Sequence, residues 1–452
     1  MQSNHSVFAM SPWIQKRFVR FGERPALAGS FGKISYVNLA RLIDDAKVDL
    51  AALKLTGPTA FALVGEQGPA SIAWLIALAA HHHFIVPLAG DVAEHPKKLA
   101  QVHVQWIVVL DGAKWNLLPR VNEAPAPRFL HGLIADHHAG LILFSSGTSG
   151  TPKAMVQDFE LLLNSYEPRR ESHLTIIAML GSDHIGGINT LLSTLSAGAL
   201  LIIPESRTPQ CVAEAIRLHQ VAVLPATPTF LNLLLVSGET NLSSLRLITY
   251  GTEPMPESLL HRLRETFPQA RFTQTFGTSE TGILKTSSPN PDSTFISIDD
   301  ENVEWKIIND ELWLRSKTQV PGYLNASNEA FTADGWFCTG DRVEQGPNNT
   351  LRVLGRTGEL INVGGEKVMP TEVESAILNT PGVIDCRVFG EKNSIVGQTV
   401  TAEVVAQNAE DPEKLRALIR VTCRSTLSAY KVPTRINFVH SIISARLKKL
   451  RP

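Results

Sequence analysis

Residues 141–153 read LILFSSGTSGTPK. An apolar strand runs into a loop of small hydroxyl residues and two glycines, closed by a proline and a lysine. Gly147 and Gly150 let the backbone come close to phosphate oxygens. Exposed N–H groups and the hydroxyls of Ser145, Ser146, Thr148, Ser149 and Thr151 then form an anion nest, to which Lys153 adds positive charge. A P-loop requires GxxxxGK[ST]. Here the lysine follows Pro152 and precedes Ala154, so this is a different kind of phosphate loop. A flexible Ser/Gly linker is the alternative reading, but a linker does not normally follow an apolar strand and end in a rigid Pro-Lys step.

Outward from the loop, residues 35–290 alternate helical and strand patterns. VAEAIRLHQ (212–220) has helical apolar spacing, and LRLITYG (245–251) reads as a strand. PESLLHRLRETF (256–267) is a helix with Leu259, Leu260, Leu263 and Phe267 on one face, and RFTQTFG (271–277) is a strand again. This βαβ rhythm predicts an α/β fold, with largely parallel sheets covered by helices. Ligands of such sheets sit beyond the carboxyl ends of the strands, where GTEP (251–254) and GTSETG (277–282) fall. From about residue 300 the texture becomes short antiparallel strands (VEWKII, ELWLRS, LRVLGR). A small α+β unit follows residue 358. The expected division is a large domain over 1–355, a hinge at 356–358 and a mobile C-terminal domain over 359–452.

A chain of 452 residues fits one large and one smaller core. The net charge of −1 gives no electrostatic footprint for nucleic acid or a membrane surface. Cys211, Cys338, Cys386 and Cys423 are scattered without a CxxC pair, which fits a reducing cytoplasm. SIAWLIALAA (71–80) is too short to span a bilayer. INTLLSTLSAGALLII (188–203) carries Asn, Thr and Ser, so both read as buried segments of a protein with no membrane span. The N-terminus shows no secretory-signal pattern. His81, His82 and His83 form either a polar helix end or a metal cluster.

SSGTSGTPK (145–153) resembles the signature loop of the adenylate-forming superfamily, which comprises acyl- and aryl-CoA ligases, peptide-synthetase adenylation domains and luciferases. Three further stretches follow in that family's order: FGTSE (276–280), GWFCTGD (335–341) and the long segment GRTGELINVGGEKVMPTEVE (355–374). The resemblance covers nearly the whole chain and is closest to the short aryl- and acyl-CoA ligases, o-succinylbenzoate–CoA ligase among them. It implies that ATP and a small carboxylic acid react to give acyl-AMP and pyrophosphate. A thiol, either coenzyme A or the phosphopantetheine of an acyl-carrier protein, then takes the acyl group. A non-catalytic AMP-binding relative is the alternative.

The same resemblance assigns roles. Glu280 holds Mg²⁺ as a hard oxygen ligand. Ser279 keeps a hydroxyl where the family usually has threonine. Phe276 stacks on adenine beside Gly277, and Gly251, Thr252 and Glu253 line the other side. Asp341 takes the ribose hydroxyls, with Arg356 nearby. His184 walls the acid pocket, although a lone histidine is more often structural. Next to it, Ile185 stands where amino-acid-activating members carry aspartate, which excludes an α-amino acid. Gly358 is the hinge, where Asp or Lys is usual, and Gly364 and Gly365 border the thiol tunnel. The clearest departure is at the end, SARLKKLRP. There Lys449 takes the catalytic lysine's place and Lys448 replaces a glycine, unless the register differs by one. The adjacent Ser182, Asp183 and His184 also suggest a hydrolytic triad, but neighbours in sequence rarely face one another in that way.

Overall fold

The computed structural model describes residues 12–120, 131–145, 152–290, 293–407 and 411–442. It is α/β, as the rhythm predicts. One sheet has the spatial order Arg271–Gln274, Leu247–Tyr250, Val223–Ala226, Thr175–Ile177, Leu200–Ile202, Pro25–Gly29 and Gly32–Ser35. All its pairs are parallel except the last. A second sheet runs Lys114–Pro119, Trp106–Asp111, Ala60–Val64, Phe84–Leu88, Gly140–Ser145 and Lys153–Asp158. Its inner pairs are parallel and both edge pairs antiparallel.

Buried on all sides is the helix Pro69–Ala80, at the centre of the first core. Trp74 there packs near Phe61 and edge-on to Trp115. Side chains of this kind each contribute about 1.5–3 kcal/mol on burial, which is why an all-apolar run of this length belongs in the interior. The stretch 188–203 divides as expected, into the helix Ile185–Ser196 and the strand Leu200–Ile202. Three helices open on one device: Thr208-Pro209, Thr227-Pro228 and Asp411-Pro412. In each, the capping oxygen accepts a backbone N–H three residues on, and proline occupies the first turn.

Four antiparallel strands follow: Val303–Ile308, Glu311–Ser316, Phe337–Gln345 and Leu351–Arg356. The last sheet pairs Glu366–Val368, Ile361–Val363, Gly397–Ala406 and Val383–Asn393, with Arg435–Phe438 beside Gly397–Ala406. The helices Pro370–Leu378 and Pro412–Thr426 pack on it around Ile419 and Cys423.

One expected element differs. The strand predicted over 271–277 ends at Gln274, and Gly277–Thr278 begins a separate short pairing with Gly282–Ile283. A Cβ at Gly277 would lie 2.5 Å from the Gly282 carbonyl oxygen, so only glycine admits that turn. His81 ends the helix Pro69–Ala80 as its C-cap. Among the described residues no group of three or more His, Cys, Asp or Glu could hold a metal ion, and no helix is long and apolar enough to cross a membrane.

Candidate active site

The phosphate-loop sequence bridges two antiparallel strands. Gly140–Ser145 pairs with Lys153–Asp158, and Ser145 stands opposite Lys153. Lys153 therefore opens a strand that the sequence reading did not foresee. Ser146, Gly147, Thr148, Ser149, Gly150 and Thr151 lie outside the described residues.

A third segment closes on this hairpin. Tyr323 bridges to Met155, and the Leu324 N–H donates to the Ala154 carbonyl at 2.8 Å. The Asn325 side chain spans Lys153, accepting from the Ala154 N–H at 2.7 Å and donating to the Pro152 carbonyl at 2.9 Å. The Lys153 ammonium lies over the Tyr323 ring, 4.6 Å from its centroid.

Glu280 sits in the turn after Gly277–Thr278. Thr278 Oγ1 accepts the N–H groups of both Glu280 and Thr281, at 3.2 and 3.1 Å, which fixes the turn. The Ser279 carbonyl accepts from Gln157 Nε2 at 2.6 Å, so the strand that begins at Lys153 also holds the acidic turn. The Val320 N–H donates to the Glu280 carbonyl at 2.8 Å. Glu280 is buried, and its Oε1 accepts the Tyr323 hydroxyl at 2.7 Å. Burial, and then the Glu280 charge, push the Tyr323 phenol well above its ordinary acidity range, so it stays protonated and donates. A buried carboxylate with one oxygen held by a neutral donor suits a hard divalent cation on the other.

Asp341 and Arg356 face each other across two strands, with Arg356 Nε 2.8 Å from Asp341 Oδ1. Arg356 also donates to the Thr339 carbonyl at 2.7 Å, and Thr339 Oγ1 accepts the Asp341 N–H at 3.0 Å. Burial pushes the Asp341 carboxyl up to about 6. Arg356 and the Thr339 hydrogen bond pull the other way, and the Glu280 charge adds to the rise.

In the stretch expected to line adenine, a Cβ at Gly251 would lie 2.6 Å from the Thr275 carbonyl oxygen, and Thr252 adopts a left-handed φ of 70°. The Glu253 carboxylate turns to Thr229, accepting its hydroxyl at 2.7 Å at the start of the helix Pro228–Val236. Phe276 is half-buried against the cluster containing Leu284 and Leu312.

His184 caps the helix Ile185–Ser196, its Nδ1 accepting the Gly186 N–H at 3.0 Å. In the neutral ring the proton is then on Nε2. Ile185 is buried in the first core. Gly187 is forced, since a Cβ there would fall 1.9 Å from the Gly181 carbonyl oxygen. Among the described residues the buried Ser182 hydroxyl has no hydrogen-bond partner, so it is not joined to His184 as a hydrolytic triad would require.

Residues 90–329, more than half of the chain, match the family described as AMP-binding enzyme, and residues 372–449 match its C-terminal domain. The chain belongs to the AMP-binding enzyme family. A 2-succinylbenzoate–CoA ligase of Listeria monocytogenes serotype 4b (strain F2365) is 25% identical over 461 residues, covering 96% of each chain. An indoleacetate–CoA ligase of Aromatoleum aromaticum is 25% identical over 506 residues, covering 98% of this chain and 96% of the relative. The fold matches the crystal structure of the anthranilate CoA ligase AuaEII in complex with anthranoyl-AMP, with a TM-score of 0.81 at 18% identity over 98% and 96% of the two chains.

In this AMP-binding enzyme the turn Thr357–Glu359 joins the antiparallel sheet to the last one. Among the described residues, leaving aside its chain neighbours, nothing lies within 4 Å of where a Cβ on Gly358 would stand. Gly364 and Gly365, with φ of 61° and 97°, form a tight turn between Ile361–Val363 and Glu366–Val368 and are exposed at its tip. Lys448 and Lys449 lie outside the described residues.

A cavity of about 520 Å³ opens behind Glu253 and Pro254, against the helix Pro370–Leu378. Glu257, Glu372, Glu374 and Asp385 line it, with Arg352 as the basic side chain of that lining.

Sequence reasoning named Glu280, Asp341, Arg356 and Lys153 but missed Tyr323, Asn325 and Gln157. A tyrosine directly after a glycine and two residues before an asparagine (PGYLNAS, 321–327) was the available signal.

Proposed function

We propose that the protein is an ATP-dependent acid–thiol ligase. It activates a small aryl or aliphatic carboxylic acid as acyl-AMP, releasing pyrophosphate, and passes the acyl group to a thiol, with coenzyme A as the acceptor. The observation that carries this reading is the separate holding of one buried carboxylate, Glu280, on the Tyr323 hydroxyl and one ammonium, Lys153, over the Tyr323 ring. Asp341, paired with Arg356, would take the ribose hydroxyls. Membership of the AMP-binding enzyme family, and relatives named as CoA ligases for 2-succinylbenzoate and indoleacetate, support it.

The chemical obstacle is that an anionic carboxylate must attack an anionic phosphate. Glu280 would hold magnesium, whose charge relieves that repulsion when bound. Lys153 and the N–H groups of the loop would stabilise the negative charge that moves during transfer. Lys449 would bridge the acid's carboxylate and the α-phosphate. Ile185 offers no partner to an α-ammonium group, which leaves aryl and aliphatic acids. Residues 359–452 would turn about Gly358 between the two half-reactions, bringing Gly364 and Gly365 to the incoming thiol.

The test is acid-dependent exchange of labelled pyrophosphate into ATP across a panel containing 2-succinylbenzoate, indoleacetate, anthranilate and fatty acids. Exchange with one of them is expected. Its absence with all of them favours the non-catalytic reading, to which the altered stretch SARLKKLRP also points. Lys449→Ala should abolish exchange and spare thiolysis of supplied acyl-AMP. The same result from Lys448→Ala would move the register by one. Offering coenzyme A beside holo-acyl-carrier protein identifies the acceptor.

A further inference from the structure

The hydroxyl and the ring face of Tyr323 point two ways at once. The hydroxyl donates to Glu280 Oε1 at 2.7 Å, and the ring lies 4.6 Å below the Lys153 ammonium. Lys153 makes no ion pair among the described residues. A buried carboxylate and a neighbouring ammonium attract each other strongly where the dielectric is low. Direct pairing would remove both groups from the phosphates they have to meet.

We propose that Tyr323 is a positioning residue that keeps Glu280 and Lys153 apart and preorganised for magnesium-bound nucleotide. The inference rests on the adenylation reading above. The phenol donates a hydrogen bond to the carboxylate and presents its negative face to the cation, so each is stabilised without neutralising the other. It can do so because the ring stands in a fixed place. Phe331 meets it edge-on, with centroids 5.4 Å apart, and Asn328 Oδ1 accepts the Tyr323 N–H at 2.6 Å. A Cβ at Gly322 would lie 2.7 Å from that same Asn328 oxygen, so glycine makes room for the brace. Leu324 and Asn325 then fasten the segment to Ala154 and Pro152 on either side of the lysine.

The experiment is a titration of the full chain with ATP, without acid, at fixed and then varied Mg²⁺. Calorimetry is run on the wild type, Tyr323→Phe, Glu280→Gln and the double variant. Tyr323→Phe keeps the ring and loses the hydroxyl. It should weaken magnesium-dependent ATP binding about tenfold, the scale of one hydrogen bond to a charged group, and leave binding without Mg²⁺ nearly unchanged. In the Glu280→Gln background the same substitution should add little, because its effect runs through the carboxylate. Unchanged ATP affinity in Tyr323→Phe overturns the proposal. So does an equal loss in both backgrounds, which would mark a structural role. Thermal unfolding of Tyr323→Phe should match the wild type. If the wild type binds ATP in this way but shows no acid-dependent exchange, the adenylation reading fails while the positioning of Lys153 and Glu280 stands.

Discussion

Glu280 and Asp341 are both buried carboxylates, 8% and 6% exposed, yet their partners differ in kind. Asp341 is paired directly with a guanidinium, and Glu280 meets a neutral phenol while the Lys153 ammonium is held over that phenol's ring. On the proposed function, the difference follows from what each would receive. A carboxylate that accepts two ribose hydroxyls can keep its arginine, because neutral hydroxyls do not compete for that charge. A carboxylate that is to hold a divalent cation must not already be neutralised.

The contrast can be broken from both sides. The largest effect is expected from Glu280→Gln, which should cut pyrophosphate exchange by about 100-fold or more, since it removes a charge that acts in the transition state. A loss of only a few-fold would place the metal elsewhere. Next, Asp341→Asn should raise the KM for ATP about tenfold, on the scale of a hydrogen bond to a charged acceptor, and leave kcat for exchange within a few-fold.

Asp341 also sets a pH limb. Its folded value of about 6 lies above the ordinary carboxylate range, so keeping it ionised costs stability. That cost is absent below about pH 4 and fully present above about pH 6. Nucleotide binding has the opposite sign, because the acceptor is lost as pH falls through 6. The KM for ATP should therefore rise on acidification in the wild type and stay flat in Asp341→Asn. An identical limb in both would assign it to another group.

Asn325→Ala leaves a carbonyl and an N–H beside Lys153 without their side-chain partner. It should destabilise the fold by about 1–2 kcal/mol and raise the KM for ATP several-fold. The smallest effect tests the hinge. A methyl group fits at Gly358, so Gly358→Ala should leave exchange and thermal stability alone and slow only thioester formation, by about two- to five-fold. Equal slowing of both half-reactions would move the hinge.

These pairings were unequally legible in the sequence. Periodicity found the strand Leu247–Tyr250 and the helix Glu257–Thr266 within a residue or two, because their apolar spacing is set by the core they face. Ordered motifs found both acids. Lys153–Asp158 escaped because a proline-lysine step reads as an end, and Val156 and Met155 alone do not announce a strand. Tyr323 escaped for a deeper reason. It lies more than 40 residues from Glu280 and 170 from Lys153, so nothing local in the chain marks it as their partner. His184 showed the reverse failing, since the expected pocket wall also turned out to be a helix cap.

The pairing of Ser145 with Lys153 has a consequence for how affinity can be tuned. The two ends of the phosphate-loop sequence are already joined by sheet hydrogen bonds before any ligand arrives. The entropy of bringing those ends together is charged to folding rather than to binding. Substitutions among the intervening hydroxyl residues should therefore change nucleotide affinity while barely moving the melting temperature, which makes this stretch a place where specificity can drift without endangering the fold.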